Sequence, residues 1–291
     1  MAMSDTATTL NEAALKHAAV TLTEAAVTLA ETVGALTEAT QSARDEAVAS
    51  VSQITVPHTA MVLAAGLGKR MRPLTATRPK PLVEVAGRTL LDRTLDHLHA
   101  AGVRKAVVNV HYLADQIEAH LRRSAQPLDI AVSDEREALL ETGGGVVHAL
   151  PMIDGDPFYV VNSDNLWVDG ATSSLRLLAQ QWNGERMDAL LLLVPLARAT
   201  SHGGRGDFHM DPTGQLRWRR EGRMAPFVYT GLQIVSRRLF DDAPTGAFGF
   251  RTLWDNALAG GRLYGVMHAG LWSDVGTPAA VVATEALLAA A

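Results

Sequence analysis

The 291-residue sequence contains no cysteine, and that absence rules out disulfides, thiolate metal sites and cysteine nucleophiles. Any metal must sit on oxygen or imidazole. Long apolar runs are missing too. No stretch reaches the roughly 18 residues needed to cross a bilayer, and no basic segment leads into an apolar core at the N-terminus. These absences predict a soluble, cytoplasmic protein with no membrane partner. Aromatic residues make up 5% of the chain, and none lies in residues 1–57. Nor is there an excess of positive charge. Residues 1–57 carry seven acids (Asp5, Glu12, Glu24, Glu31, Glu38, Asp45 and Glu46) against Lys16 and Arg44, and the remainder is balanced at 24 against 24. A balanced domain has no general attraction for a nucleic-acid backbone, but a local basic site for a small phosphate ligand is compatible with it.

What is present divides at about residue 57. Residues 1–57 are rich in Ala, Thr and Glu and hold one glycine, with no proline before Pro57, a helical composition. Leu15, Leu22, Leu29 and Leu36 recur every seven residues, with Ala19, Ala26 and Val33 four positions after the first three, an a/d seam of about three heptads. Three readings stand: a loosely docked or partly disordered helix, a coiled coil that makes a homo-oligomer, or an unremoved leader. From His58 onward, short apolar runs alternate with amphipathic stretches, which predicts α/β units around a buried sheet. Strands are expected near 59–65, 105–110, 128–133, 157–162, 188–195, 227–235 and 262–268. Helices fit near 89–101, 112–123, 144–150, 171–182, 250–259 and 278–290. A hairpin turning at Asp211 to Gly214 makes the sheet mixed, though mostly parallel.

The first strand runs into Gly66-Leu-Gly68-Lys69-Arg70-Met-Arg72-Pro73, followed by Arg78-Pro79-Lys80-Pro81. A glycine-rich turn at a strand's carboxyl end lets backbone N–H groups approach phosphate oxygens, and the cations behind it neutralise a polyphosphate. There is no G-x-x-x-x-G-K-[ST], and Gly66-x-Gly68 lacks the third glycine of the dinucleotide fingerprint. The prolines also forbid the long helix those two loops require.

The stretch Leu63-Ala-Ala-Gly-Leu-Gly-Lys-Arg-Met-Arg-Pro-Leu-Thr-Ala-Thr-Arg-Pro-Lys-Pro-Leu82 resembles the signature of the sugar-phosphate nucleotidylyltransferases, L-A-A-G-x-G-T-R-L-x-P-L-T-x-x-x-P-K-x-L. Lys69 and Met71 depart from it at positions without the key charge. The resemblance implies a Rossmann-like three-layer α/β/α domain over 58–291 and leaves residues 1–57, the helical or partly disordered extension, outside it. It also implies an enzyme that joins a nucleoside triphosphate to a sugar 1-phosphate. Arg70 would hold the leaving pyrophosphate, and Lys80 would bridge the α-phosphate and the sugar phosphate. Leu63, Ala64, Ala65, Gly66, Gly68 and Lys69 would frame the nucleotide.

Two aspartates stand where such chemistry needs magnesium. Asp164 ends an apolar strand, and Asp274 lies in Trp272-Ser-Asp-Val-Gly-Thr-Pro278 ahead of a helix. A lone strand-end aspartate is ordinarily a turn former. Both segments resemble the family's two metal motifs, with Ser163 in place of the usual glycine beside Asp164. A second glycine cluster, Leu140-Glu141-Thr-Gly143-Gly144-Gly145, reads as a turn entering a helix, with Glu141, Gly143 and Gly144 against the base. Its form resembles the subgroup that uridylylates N-acetylmuramate 1-phosphate in bacterial wall recycling, which points to UTP. Mannose 1-phosphate guanylyltransferases are similar elsewhere. For the sugar, Phe227-Val-Tyr-Thr230-Gly231 resembles the family's central strand, which touches the sugar ring, and Asn109, Asp207 and Glu221 are further candidates. A non-catalytic sensor of nucleotide or sugar phosphate is the rival class.

Overall fold

The computed structural model describes residues 22, 27–42, 55–124 and 127–290. The chain divides into two units, Met1–Ile54 and Thr55–Ala291, each described by itself. In the first, residues 27–42 form a helix, α1. Threonine hydroxyls donate back to carbonyls one turn earlier, Thr32 to Thr28 and Thr37 to Val33. On α1, Leu29, Val33 and Leu36 of the heptad seam are exposed, and so is Leu22. Leu15, Ala19 and Ala26 lie outside the described residues.

The second unit is built on a nine-stranded sheet. Strand β1 (Thr59–Leu63) lies between β4 (Lys105–Val110) and β6 (Phe158–Asn162), parallel to both, and β5 (Asp129–Asp134) extends this block beyond β4. On the other side, β11 (Phe227–Val235) runs antiparallel to β6 and to β8 (Ala189–Pro195), and β8 pairs in parallel with β12 (Leu263–Met267). The expected hairpin is formed by β9 (Phe208–Met210) and β10 (Leu216–Trp218). Asp211 Oδ1 accepts the Thr213 and Gln215 amides in its turn, and β9 joins the sheet against β11 at Phe227. By these pairings β10 and β11 run against the other seven strands, so the sheet is mixed and mostly parallel.

Period-2 alternation makes the three layers. Ala60 and Val62 of β1, Tyr159 and Val161 of β6, and Leu190 and Leu192 of β8 share one core with α2 (Leu90–Ala101), α3 (Ala114–Arg123) and α5 (Ser174–Gln181). The residues between them, Met61, Val160 and Leu191, point to the other face, where α4 (Glu141–Ala149) and α6 (Phe250–Ala259) pack. Helix α2 starts where the Thr89 hydroxyl accepts the Asp92 amide, and ends at Gly102 with φ 104°. The last helix, α7 (Pro278–Ala289), is capped by the Thr277 hydroxyl. Among the described residues no helix is long and apolar enough to cross a membrane.

Two features differ from the sequence reading. Helix α4 begins at Glu141, so Gly143, Gly144 and Gly145 are buried helical residues rather than the turn before the helix. Two short ribbons were also not foreseen. One is β2 (Glu84–Val85) with β3 (Arg88–Thr89). The other pairs β7 (Asn165–Val168) with β13 (Leu271–Asp274), so that Asn165 stands opposite Asp274.

Candidate active site

The carboxyl ends of β1, β4 and β6 lie side by side, and the loops leaving them surround an open cavity of about 340 Å³. Open α/β sheets place ligands at this edge, and a volume of several hundred Å³ suits a small molecule. Leu63, Ala64, Ala65, Gly66, Lys80, Asn109, Glu141 and Asp164 all line the cavity. So do Pro81, Leu139, Thr142, Asn162 and Ser163, which the sequence reading does not assign to ligand.

The glycine loop owes its shape to its own contacts. At Gly66 the space where a Cβ would stand is open, so a ligand can approach the backbone there. Gly68 is left-handed (φ 59°), and an added Cβ would stand 3.1 Å from Thr75 Cγ2 and 3.2 Å from Lys80 Cβ. Its carbonyl accepts the Thr75 hydroxyl at 2.7 Å and the Met71 amide at 2.9 Å. The loop therefore folds back as a 3-10 turn, Lys69–Met71, with Met71 buried as the anchor and Lys69 and Arg70 exposed.

Lys80 opens a second 3-10 turn, Lys80–Leu82, and is 7% exposed. Its ammonium reaches Asp164 Oδ2 at 2.7 Å. Asp164 stands two residues beyond β6, and the intervening serine explains why that loop keeps its place without the expected glycine. The Ser163 hydroxyl and amide both donate to the Leu63 carbonyl, at 2.7 and 3.1 Å, stitching the end of β6 to the end of β1. The β7–β13 ribbon then brings Asp274 to the residue beside Asp164. A Cβ added at Gly276 would lie 3.0 Å from Asp274 Oδ1 and 3.3 Å from Arg70 Nη1, so the guanidinium and this second carboxylate share one neighbourhood.

An oxygen donor set of this kind fits magnesium, which is held by one or two carboxylates and completes its shell with water and phosphate oxygens. Among the described residues no group of three His, Asp or Glu side chains gathers as a self-sufficient metal cage. Beside Asp164, the buried Tyr229 hydroxyl finds no hydrogen-bond partner among the described residues. Burial first, and the Asp164 charge second, push its pKa well above the ordinary phenol value, so it stays neutral.

Several expected contacts have other duties. Gly143 and Gly144 donate their amides to the Phe248 carbonyl at 2.8 and 3.0 Å. Added Cβ atoms there would stand 2.4 Å from Phe248 Cε2 and 2.2 Å from the Gly246 carbonyl oxygen. These glycines allow close packing of α4, while Glu141 and Thr142 face the cavity. Thr230 is fully buried, with its hydroxyl on the Leu192 carbonyl and its own carbonyl accepting Trp272 Nε1. Asp207 accepts the Tyr229 amide at 2.9 Å and so pins the hairpin to β11. Glu221 is exposed in the turn between β10 and β11. Asn109 reaches the cavity wall at 2% exposure, but both ends of its amide are engaged within the protein, with Ala64 and Glu135. Glu135 was missed, although it follows a strand's carboxyl end just as Asp164 does.

Gly231 combines φ 89° with a Cβ position 2.2 Å from Asn165 Nδ2 and 3.0 Å from Asn162 Cβ. Gly231→Ala must therefore move the chain beside Asp164, and the combined backbone and overpacking cost is about 2–4 kcal/mol. The melting temperature should fall by roughly 2–4 °C for each kcal/mol. A melting temperature within a degree of the wild type would contradict this.

A family model described as nucleotidyl transferase matches residues 59–204. The chain is 48% identical to an N-acetylmuramate alpha-1-phosphate uridylyltransferase from Caulobacter vibrioides, across 81% of this chain and 98% of the relative. It is 30% identical to a mannose-1-phosphate guanylyltransferase from Mycobacterium tuberculosis, across 75% of this chain and 61% of that one. Among solved structures, HddC from Yersinia pseudotuberculosis superposes with a TM-score of 0.64 over 79% of this chain and 99% of that one, at 21% identity, a likeness of fold. The family model spans the glycine loop, Lys80 and Asp164, and the Caulobacter relative is covered almost from end to end: the chain belongs to the nucleotidyl transferase family, as one of its sugar-phosphate enzymes.

Proposed function

We propose that the enzyme transfers the uridylyl group of UTP to N-acetylmuramate 1-phosphate, forming UDP-N-acetylmuramate for cell-wall recycling. The observation that carries this reading is the 48% identity sustained over 98% of the Caulobacter uridylyltransferase. The chemistry is a single in-line displacement. A sugar phosphate oxygen attacks the α-phosphorus, the new P–O bond forms, and the α–β bridging P–O bond breaks with its electron pair going to pyrophosphate. The attacking oxygen is already ionised at neutral pH, so no general base is needed. The glycine-loop backbone holds the polyphosphate. Lys80 holds two anions together at the α-phosphate, and Arg70 faces the departing pyrophosphate. Asp164 and Asp274 would hold magnesium, which when bound would neutralise non-bridging phosphate oxygens.

Pyrophosphate release over a grid of UTP, GTP, dTTP and CTP against N-acetylmuramate, mannose, glucose and N-acetylglucosamine 1-phosphates tests the proposal. The expected peak is UTP with N-acetylmuramate 1-phosphate. A peak at GTP with mannose 1-phosphate would replace the substrates with those of the second reading, which the Mycobacterium relative favours. Nucleotide binding with no pyrophosphate from any pair would turn the reading into a sensor. A reaction that consumes a nucleoside triphosphate suits the cytoplasm. Self-association through α1, with Leu29, Val33 and Leu36 exposed on it, belongs to the same proposal. Light scattering of the full chain against one starting at Pro57 checks it.

A further inference from the structure

The cavity has two walls that differ in job and come from distant parts of the sequence. One is the phosphate loop after β1, and the other is the segment Leu139–Thr142 that opens α4. A continuous chain of hydrogen bonds joins them through the interior. The Ala64 amide donates to Asn109 Oδ1 at 2.7 Å, and Asn109 Nδ2 donates to Glu135 Oε1 at 2.7 Å. Glu135 Oε2 then accepts the Leu140 amide at 3.2 Å. Glu135 is 3% exposed and Asn109 2%. Gly145 closes the chain from above, since a Cβ there would stand 2.7 Å from Glu135 Oε1 and 2.9 Å from Asn109 Nδ2.

Resting on the nucleotidyl-transfer reading, we propose that Glu135 is a positioning residue for nucleotide binding, its two carboxylate oxygens coupling the phosphate loop to the base-side loop. The reason lies in hydrogen-bond polarity. Both ends of the chain are backbone N–H groups, which donate and cannot be reversed. Asn109 must turn its oxygen to Ala64, which leaves its nitrogen facing residue 135. Position 135 therefore faces a donor on each side and needs two acceptors, which a carboxylate has and an amide lacks. Asn109 Oδ1 and both Glu135 carboxylate oxygens are engaged inside the protein. They set where Ala64 and Glu141 stand, and a shift of one wall against the other reaches the nucleotide directly.

The test is a swap of charge along the chain. Glu135→Gln keeps volume but sets an amide N–H against one of the two donors, and the dissociation constant for UTP should rise about tenfold or more. Asn109→Asp sets two carboxylates against each other and should lose at least as much. In the double variant N109D/E135Q the polarity is restored. The Ala64 amide and the introduced glutamine's Nε2 both donate to the introduced aspartate, and the Leu140 amide donates to the glutamine's Oε1. Nucleotide affinity should return to within about threefold of the wild type, a coupling read from the double-mutant cycle.

The readout is calorimetric titration with UTP, and with GTP in parallel, without sugar phosphate, alongside thermal melting of each variant. A merely structural carboxylate would change melting without restoring affinity in the swap. Wild-type affinity in E135Q, or a double variant as weak as the two singles combined, overturns the proposal. If the singles do not fold, a folded double variant that binds nucleotide supports it, and an unfolded one counts against it. A wild type that binds nucleotide but releases no pyrophosphate sinks the reaction while leaving this titration readable. A wild type that binds neither nucleotide overturns both.

Discussion

Lys80→Met is expected to lower the turnover number by about 10²–10³-fold, the size of effect seen when one preorganised electrostatic group is removed from a reaction centre. Methionine keeps most of the length and apolar volume of the lysine stem, so the slot formed by the Lys80–Leu82 turn stays filled. What is lost is the ammonium, held 2.7 Å from Asp164 at 7% exposure, where little water is at hand to replace it. The stability cost should be much smaller. The Asp164 side chain is 36% exposed, so water solvates the carboxylate left behind, and a loss of about 1 kcal/mol or less is expected. Steady-state pyrophosphate release and thermal melting on the same preparation separate the two effects. A rate that falls only as far as the folded fraction falls would reduce Lys80 to a structural role. Lys80→Arg should not rescue turnover, because a planar guanidinium does not fit where a compact ammonium on a flexible stem does.

Asp164→Asn is expected to cost about 10²–10³-fold in turnover, corresponding to the several kcal/mol that a metal ion supplies to transition-state charge. The substitution keeps shape and removes one negative charge, with two consequences. Lys80 loses its ionic partner, and the oxygen set shared with Asp274 across the β7–β13 ribbon loses half its charge. On the proposed magnesium role, half-maximal rate should need a higher magnesium concentration in the variant than in the wild type. Titrating magnesium at saturating substrates, for wild type and variant, checks this. A D164N enzyme with full rate at every magnesium concentration would remove Asp164 from metal binding. Ser163 makes the experiment clean, because its two donations to Leu63 hold the loop independently of the aspartate.

Three of the polar residues offered to the sugar carry hydrogen bonds inside the protein. Thr230 within β11, Asp207 just before β9 and Asn109 near the end of β4 are the polar residues in question. In the folded chain they satisfy buried backbone groups, on the Leu192 carbonyl, the Tyr229 amide and the Ala64 amide. Buried donors and acceptors need partners whatever else the site requires. Gly143 and Gly144 tell the same story in packing terms. A run of three glycines looks like a flexible turn, but here it removes Cβ atoms that would collide with Phe248 and Gly246.

By itself, the sequence determined the local and the periodic. Short apolar runs at β1, β6 and β8, amphipathic stretches between them and Thr277-Pro278 ahead of the last helix specify the order of strands and helices, because each depends on near neighbours in the chain. The glycine loop and Lys80 were legible for the same reason, since they form one unbroken segment. Tertiary structure alone decided what joins distant segments. It paired Asn165 with Asp274, so that the two aspartates stand at one ribbon end, and it placed Glu135 between Asn109 and Leu140. Such pairings depend on how strands line up across the sheet and on which buried donors are left to satisfy, and no local pattern of residues encodes either.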